Sequence, residues 1–291
     1  MQSIASIFVC VFPYSRVKGI EVAAVEEPFI VAKNLTIAYE LHRERKKLIA
    51  LQDINLEVKK GEFLVLVGPS GCGKTSFINA VSGLVPKSEG SVMVRGKEVT
   101  GPGPDRAMVF QDYALFPWRT VEANVRLPFE LQDLDLSAAE EDDRVKKSLE
   151  LVDLLGFEKS YPYELSGGMK QRVGIARALV TSPDILLADE PFAAIDAMTR
   201  EAMQGELERI VMETGQTCIF ITHSIDEAIL LGDRVAVISY RPGKVKEIVE
   251  IDFPRPRMSN SEVKISKKYA ELRDHIWNLV KDEATQTNRG E

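Results

Sequence analysis

From Phe29 the chain alternates apolar and polar positions through FIVAKNLTIAYE and KKLIALQDINLEVKKGE. That period of two predicts a pair of strands with one face buried. The charged stretch His42-Arg43-Glu44-Arg45-Lys46-Lys47 between them predicts a solvated hairpin loop. A different pattern follows. FLVLVG at 63–68, DILLAD at 184–189, CIFIT at 218–222 and RVAVIS at 234–239 are continuous apolar runs separated by helical stretches. Such strands belong to a parallel sheet covered on both faces.

Helix starts are legible as well. Ser137 with Glu140, and Ser224 with Glu227, have the spacing of a capping box, in which hydroxyl and carboxylate each satisfy an orphan backbone N–H. Asp196 is placed to cap a helix whose Met203, Leu207, Ile210 and Val211 share one face and whose stop is Gly215. Residues 112–180 contain no strand-like run and are expected to form an inserted, mostly helical unit. The end of the chain has FPRPR and then a helical pattern over about 268–281.

Composition narrows the class. The 291 residues are 45% apolar and 28% charged, an ordinary globular balance that excludes wholesale disorder. A net charge of −7 argues against sequence-independent binding to nucleic acid. Three cysteines, Cys10, Cys72 and Cys218, lie too far apart for a disulfide framework and suggest a reducing compartment. The uncharged run over residues 1–15 is shorter than a membrane-spanning helix and lacks the features of a signal peptide. A frayed tail, a membrane-surface anchor and a start placed too far upstream are the competing readings of this run, and a tail outside the fold is the expectation.

The chemistry begins at Gly68-Pro69-Ser70-Gly71-Cys72-Gly73-Lys74-Thr75, a G-x-x-x-x-G-K-[ST] run between an apolar strand and a helix expected over about 76–84. Glycines let successive backbone N–H groups curl around a phosphate, and a helix N-terminus adds positive potential. Lys74 then reaches the β- and γ-phosphates, and the Thr75 hydroxyl can hold Mg²⁺. Far along the chain, Ile185-Leu186-Leu187-Ala188 leads into Asp189-Glu190, a buried strand ending in two carboxylates. Charges in that position are uncommon unless paired or bound to metal. Asp189 suits the Mg²⁺ of a nucleotide, and Glu190 suits a general base for the attacking water. With Cys72 inside the loop, thiol alkylation should block hydrolysis and ATP should protect.

Leu165-Ser166-Gly167-Gly168-Met169-Lys170-Gln171-Arg172 opens a helix ahead of that strand. It resembles the signature motif of ABC ATPases, and the other motifs follow in the family's order. Gln111 in VFQDYALFPW resembles the Q-loop, Ala193-Ala194-Ile195-Asp196 the D-loop, and Thr222-His223 the switch histidine. Tyr39 precedes the phosphate-loop strand, where the family stacks an aromatic on adenine. The resemblance covers about 28–256. It implies an α/β fold: a P-loop NTPase core with a mainly parallel sheet, an N-terminal antiparallel β subdomain and an inserted helical subdomain. The implied division is a tail (1–27), an ATP-binding core (28–111 and 181–251), a helical subdomain carrying the signature (112–180) and a C-terminal extension (252–291).

The same resemblance implies roles. Gly68, Pro69, Ser70, Gly71, Cys72, Gly73, Lys74, Thr75 and Ser76 bind ATP, with Tyr39 on the base. Glu190, His223 and Gln111 are catalytic, and Thr75, Gln111 and Asp189 face Mg²⁺. Ser166, Gly167, Gly168 and Gln171 reach ATP held by a second subunit, and Asp196 lies at that dimer contact. Two departures are mild: AAID stands where SALD is more frequent, and Lys74-Thr75-Ser76 where Lys-Ser-Thr is common. The second keeps a hydroxyl at position 75.

GPGPDRAMVFQDYALFPWRTVEANV, ADEPFAAIDAMTR, GDRVAVISYRPGKV and FPRPR resemble the nitrate/sulfonate/taurine/bicarbonate branch of bacterial importers. The partners this implies are a second ATPase subunit (a copy or a paralogue), an integral membrane permease docking near residues 113–118, and through it an extracytoplasmic solute-binding protein. The implied location is peripheral, on the cytoplasmic face of the inner membrane, with no nucleic acid partner. The 68 residues after His223 are fewer than the β-barrel regulatory domain of sugar importers needs, which favours the small-anion branch. A non-transport ABC ATPase serving a soluble or assembly partner would share every catalytic motif, and only the partner separates the two readings.

Overall fold

The computed structural model describes residues 28–41, 46–132, 134–193 and 195–287. The expectations for the tail (1–27), for His42, Arg43, Glu44 and Arg45 of the hairpin loop, and for Ala194 fall outside them. The N-terminal pattern forms β1 (Ile30–Leu41) and β2 (Lys46–Val58), paired antiparallel. They are followed by β3 (Phe63–Val67), α1 (Lys74–Ser82), β4 (Glu89–Val94), β5 (Lys97–Glu98) and β6 (Arg106–Val109). Next come α2 (Val121–Leu131), α3 (Ala138–Leu151), a 3₁₀ turn (Pro162–Glu164) and α4 (Gly167–Leu179). The chain then returns through β7 (Ile185–Asp189), α5 (Ala197–Thr214), β8 (Thr217–Ile221), α6 (Ile225–Leu231), β9 (Arg234–Ile238) and β10 (Val245–Glu250). It ends in α7 (Ser261–Ile265) and α8 (Lys267–Thr287).

Two sheets result. One is antiparallel, in the order β2-β1-β4-β5; the other runs β10-β9-β3-β8-β7-β6, parallel except for β10. The four apolar runs supply the four inner strands of the larger sheet, all but Arg234 buried. Alternation sorts their side chains. Phe63, Val65, Leu186, Ala188, Cys218 and Phe220 join the core that covers α2 to α6 and the C-terminal helices. Leu64, Leu66, Ile185, Leu187, Ile219 and Ile221 join the core under α1 and the antiparallel sheet. Each buried Val, Leu, Ile or Phe among them stabilises the fold by roughly 1.5–3 kcal/mol relative to exposure.

Some expectations change. The helix after the glycine loop starts at Lys74, because Gly73 takes a left-handed conformation (φ 104°) and admits the first turn directly. At Ser137 both halves of the capping box form. At Ser224 only the hydroxyl half does: its Oγ accepts from Glu227 N at 3.2 Å. The Glu227 carboxylate goes instead to the Thr222 hydroxyl and to Gln204 Nε2, 2.8 Å away. β4 and β6 are absent from the sequence pattern: β4 buries only Val92 and Val94 of its six residues, and β6 is a four-residue edge strand.

The C-terminal FPRPR is a structural hub. Arg257 is buried and donates to the carbonyls of Phe253 (3.0 Å), Ile251 (3.2 Å), Ile229 (3.3 Å) and Gly232, and to Asp233 Oδ1 (3.2 Å). Burial lowers the guanidinium pKa from its usual range, with Arg255 adding to the effect and Asp233 and Glu208 opposing it. The group stays charged because its donors meet carbonyls and a carboxylate. Replacing Arg257 by Leu should leave these acceptors unsatisfied and lower the unfolding free energy by about 3 kcal/mol in urea titration. A loss below about 0.5 kcal/mol would show that the hub is not what seats the C-terminal segment.

Candidate active site

The parallel ladders align the strand ends: Val65 with Phe220, Asp189 with Ile221, and Val109 with Ala188. The segments leaving β3, β6, β7 and β8 therefore emerge at one edge, the carboxyl edge where open α/β sheets bind ligands. They line a cleft of about 440 Å³ together with Tyr39, Leu48 and Ala50 from the antiparallel sheet. Eight of the sequence-predicted side chains meet there: Tyr39, Ser70, Lys74, Thr75, Ser76, Gln111, Glu190 and His223.

The glycine loop wraps from β3 into α1 against β2. An added Cβ on Gly73 would lie 2.6 Å from Leu51 Cδ2 and 2.8 Å from Ala50 O, so the backbone passes β2 too closely for any side chain. Lys74 is buried, and its Nζ donates to Gly68 O (2.9 Å) and Pro69 O (3.1 Å). The loop thus presents a cation and helix-start N–H groups in one small volume, which is the chemistry a phosphate requires. Tyr39 Oη donates to Ser76 Oγ at 3.0 Å, tying the aromatic ring to the first turn of α1.

Asp189 ends the face of β7 that includes Ile185 and Leu187, the face on which α1 packs. That parity brings it to Thr75, whose Oγ1 donates to Asp189 Oδ1 at 3.3 Å. Burial raises the Asp189 carboxyl above its ordinary pKa, opposed by the Thr75 hydrogen bond and the charges of Lys74 and His223, and assisted by Glu190. A buried carboxylate beside a hydroxyl is a donor set that fits Mg²⁺, which takes one or two protein oxygens and fills its shell with phosphate and water. Among the described residues no three His, Cys, Asp or Glu side chains cluster as a self-contained metal cage.

Glu190 N extends the ladder by one bond, donating to Ile221 O at 3.0 Å. The residue then adopts a left-handed φ of 46°, costing about 1 kcal/mol. This turn directs its carboxylate across to His223, where Oε1 lies 2.6 Å from Nε2. Thr222 is anchored behind His223 by the Glu227 contact and accepts from Ser224 N at 3.0 Å. The cleft edge thus has a hydrogen-bonded carboxylate–imidazole pair held on strand ends.

The signature residues lie outside this cleft. Ser166 and Gly167 are exposed at the start of α4, and Ser166 Oγ accepts from Met169 N at 3.3 Å. Gly168 is buried: an added Cβ would meet Thr199 Cγ2 at 2.4 Å. Asp196, exposed, caps α5 by accepting from Thr199 N at 3.0 Å. Gln171 departs from the expectation. Its side chain is fully buried, with no hydrogen-bond partner for Oε1 or Nε2 among the described residues. Five residues along a helix turn it about 140° away from Ser166, so it faces inward.

Three polar residues of this region escaped the sequence reading. Asn124 is fully buried between Val121 and Val125; it accepts from Phe116 N (2.8 Å) and donates to the carbonyls of Phe116, Arg119 and Thr120. Arg177 donates to Tyr113 O (2.8 Å) and Ala114 O (2.6 Å), two residues with left-handed backbone. Together they hold the segment after Gln111. A polar residue within an apolar helix face was the available signal for Asn124. Arg241, the third, reaches the cleft from the turn after β9; it lies within GDRVAVISYRPGKV, a stretch that carried the importer resemblance but gave no sign of a cleft residue.

Cys72 also departs from the expectation. It is fully buried, its Sγ is 3.7 Å from Lys74 Nζ, and burial raises its pKa against the opposing Lys74 charge. A buried, protonated thiol is a poor nucleophile. Iodoacetamide should therefore modify Cys72 at least about tenfold more slowly in native than in urea-unfolded protein, with or without ATP. Mass spectrometry of the peptide checks this, and rapid ATP-sensitive labelling would restore the original expectation.

A family model described as ABC transporter matches residues 51–193. An uncharacterized ABC transporter ATP-binding protein of Methanocaldococcus jannaschii is 49% identical over 88% of this chain and 92% of its own length. The nitrate import ATP-binding protein NrtC of Synechococcus elongatus is 44% identical over 81% of this chain, which spans only 36% of that longer protein. The aliphatic sulfonates import ATP-binding protein SsuB of Bacillus cereus is 45% identical over 73% of this chain and 82% of its own. Among solved structures, the dimeric post-hydrolysis state of the ATP-binding cassette MJ0796 bound to ADP and Pi aligns with a TM-score of 0.68 and 32% identity, covering 77% of this chain and all of that one. The chain belongs to the ATP-binding proteins of ABC transporters and is an ATPase of that family.

Proposed function

We propose that this chain is the ATP-hydrolysing subunit of an ABC importer for a small anion of the nitrate, sulfonate, taurine or bicarbonate class, acting on a separate membrane permease. The observation that carries the reading is the division of the site: Lys74, Thr75, Glu190 and His223 share one cleft, while Ser166 and Gly167 are exposed outside it. A site split in this way is completed by a second subunit. Head-to-tail pairing would set the α4 N-terminus of one subunit, with its Ser166 hydroxyl and free N–H groups, on the γ-phosphate in the other's cleft.

Within the cleft, the glycine loop and Lys74 bind the β- and γ-phosphates, and Tyr39 takes the base. Glu190 accepts the proton of the attacking water. His223, hydrogen-bonded to Glu190 at 2.6 Å, fixes that carboxylate and adds a donor near the γ-phosphate. Thr75, Asp189 and Gln111 would hold Mg²⁺, which neutralises charge on the phosphate oxygens when bound.

Permease coupling is supported by a second surface. A groove of about 390 Å³ beside the segment after Gln111 is lined by Phe110, Ala114, Phe116, Leu127 and Leu131. Leu131 is 76% and the adjacent Trp118 71% exposed. Apolar surface of this kind marks a partner site, and its position beside Gln111 lets a docked helix bias the cleft. Importer names among the 43–45% identical relatives, NrtC, SsuB and the bicarbonate protein CmpC, support the small-anion class.

Two outcomes test this reading. Glu190→Gln should bind ATP, lose at least about a hundredfold in turnover and accumulate as an ATP-bound dimer in size-exclusion chromatography; wild-type turnover would remove Glu190 from the base role. A mild-detergent pull-down from native membranes should recover an integral membrane protein, and Leu131→Glu should abolish that recovery. Reproducible capture of soluble proteins alone would leave the ATPase standing and displace the importer.

A further inference from the structure

The turn between β9 and β10 is built against the phosphate loop. Gly243 N donates to Ala50 O and Gln52 N to Gly243 O, both at 3.0 Å, stitching the turn to β2 beside Gly73. Added Cβ atoms report how close the segments are: one on Gly68 would lie 2.5 Å from Ile238 O, and one on Gly243 would lie 2.1 Å from Cys72 O. The turn is closed on itself by Ser239 N to Lys244 O (2.9 Å) and Lys244 N to Ser239 Oγ (3.0 Å). From the far side, buried Glu283 of α8 accepts from Tyr240 N at 3.0 Å and pairs with Lys246 at 2.8 Å. The residue after Tyr240 is thus delivered from a backbone clamped on three sides.

That residue is Arg241. Its side chain lines the nucleotide cleft, and its Nη2 lies 2.9 Å from where a Cβ on Gly71 would be. Gly71, with φ 74° and no side chain, leaves the space that the guanidinium fills. The other residues of the cleft include one further Lys or Arg, Lys74, which is buried and donates to the loop's own carbonyls. Arg241 has no hydrogen-bond or ion-pair partner among the described residues. A planar cation held by a rigid turn over a phosphate-binding loop has the donors and the placement for bidentate contact with phosphate oxygens. Its preorganised backbone keeps the ordering cost of such a contact small.

We infer that Arg241 is a nucleotide-binding residue whose guanidinium contacts the phosphate chain of the nucleotide held by the 68–76 loop. The inference rests on the nucleotide site described above and adds a ligand to it from outside the motifs. It also gives the C-terminal helix a role, since Glu283 helps set the turn that carries Arg241.

The test is calorimetric titration of the full chain with ADP, a non-hydrolysable ATP analogue and adenosine, using wild type, Arg241→Ala, Arg241→Lys and Lys74→Ala. Arg241→Ala should weaken ADP and the analogue by about tenfold and flatten the salt dependence of binding. Adenosine affinity and the Tm without nucleotide should not change, and Arg241→Lys should fall between Ala and wild type. If Arg241→Ala binds both phosphorylated ligands like wild type while Lys74→Ala does not, Arg241 is no ligand and the nucleotide site stands. Equal losses for adenosine and ADP, or a lowered Tm without nucleotide in both Arg241 variants, would make its role structural and overturn the inference. Absence of binding by wild type would overturn the nucleotide site together with it.

Discussion

The structure depends on the parallel register of β7, β8 and β3. A strand's side chains alternate faces, so a slip of one residue would exchange the two cores and turn Asp189 away from α1. In the register observed, Ile185 and Leu187 pack beneath α1 and Asp189 continues the same face to Thr75. Leu186 and Ala188 fill the opposite core under α2 to α6. The hydrophobic burial that fixes the sheet and the polar contact that joins the two nucleotide motifs are consequences of one pairing.

The chemistry then sits where the ladder ends. Glu190 makes the last bond to β8 and leaves the extended conformation at once, which sets its carboxylate against His223. The backbone strain at that residue is small against the burial energy of the strand before it. Strand ends are suited to this work because the side chain is placed by a rigid neighbour while its far side stays open to the cleft. The start of α4 lies apart from this edge, with Ser166 and Gly167 exposed.

Around this edge the irregular segments are held by single polar side chains that gather several backbone groups. Asn124 and Arg177 do so for the segment after Gln111, and Arg257 for the junction of α6, β9 and the C-terminal segment. Asn124 and Arg257 satisfy carbonyls that would otherwise be buried without partners, a loss of about 1–3 kcal/mol apiece. Rigid connections follow, and with them the placement of Gln111 and the apolar groove.

The sequence by itself determined the sheet class, the glycine loop, the two carboxylates at the end of β7 and the family. These are properties of contiguous residues: a buried parallel strand must be apolar throughout, and a phosphate loop needs its glycines, lysine and hydroxyl at set spacings. Only the tertiary structure decided what depended on distant pairing or on rotation about a helix. It turned Gln171 and Cys72 inward, diverted Glu227 from its capping box to Thr222, buried Arg257 of FPRPR, and brought Arg241 beside Gly71. The reason is physical: a local pattern records which way one element faces its own neighbours, whereas a polar side chain's partner is chosen by the packing of elements far apart in the chain.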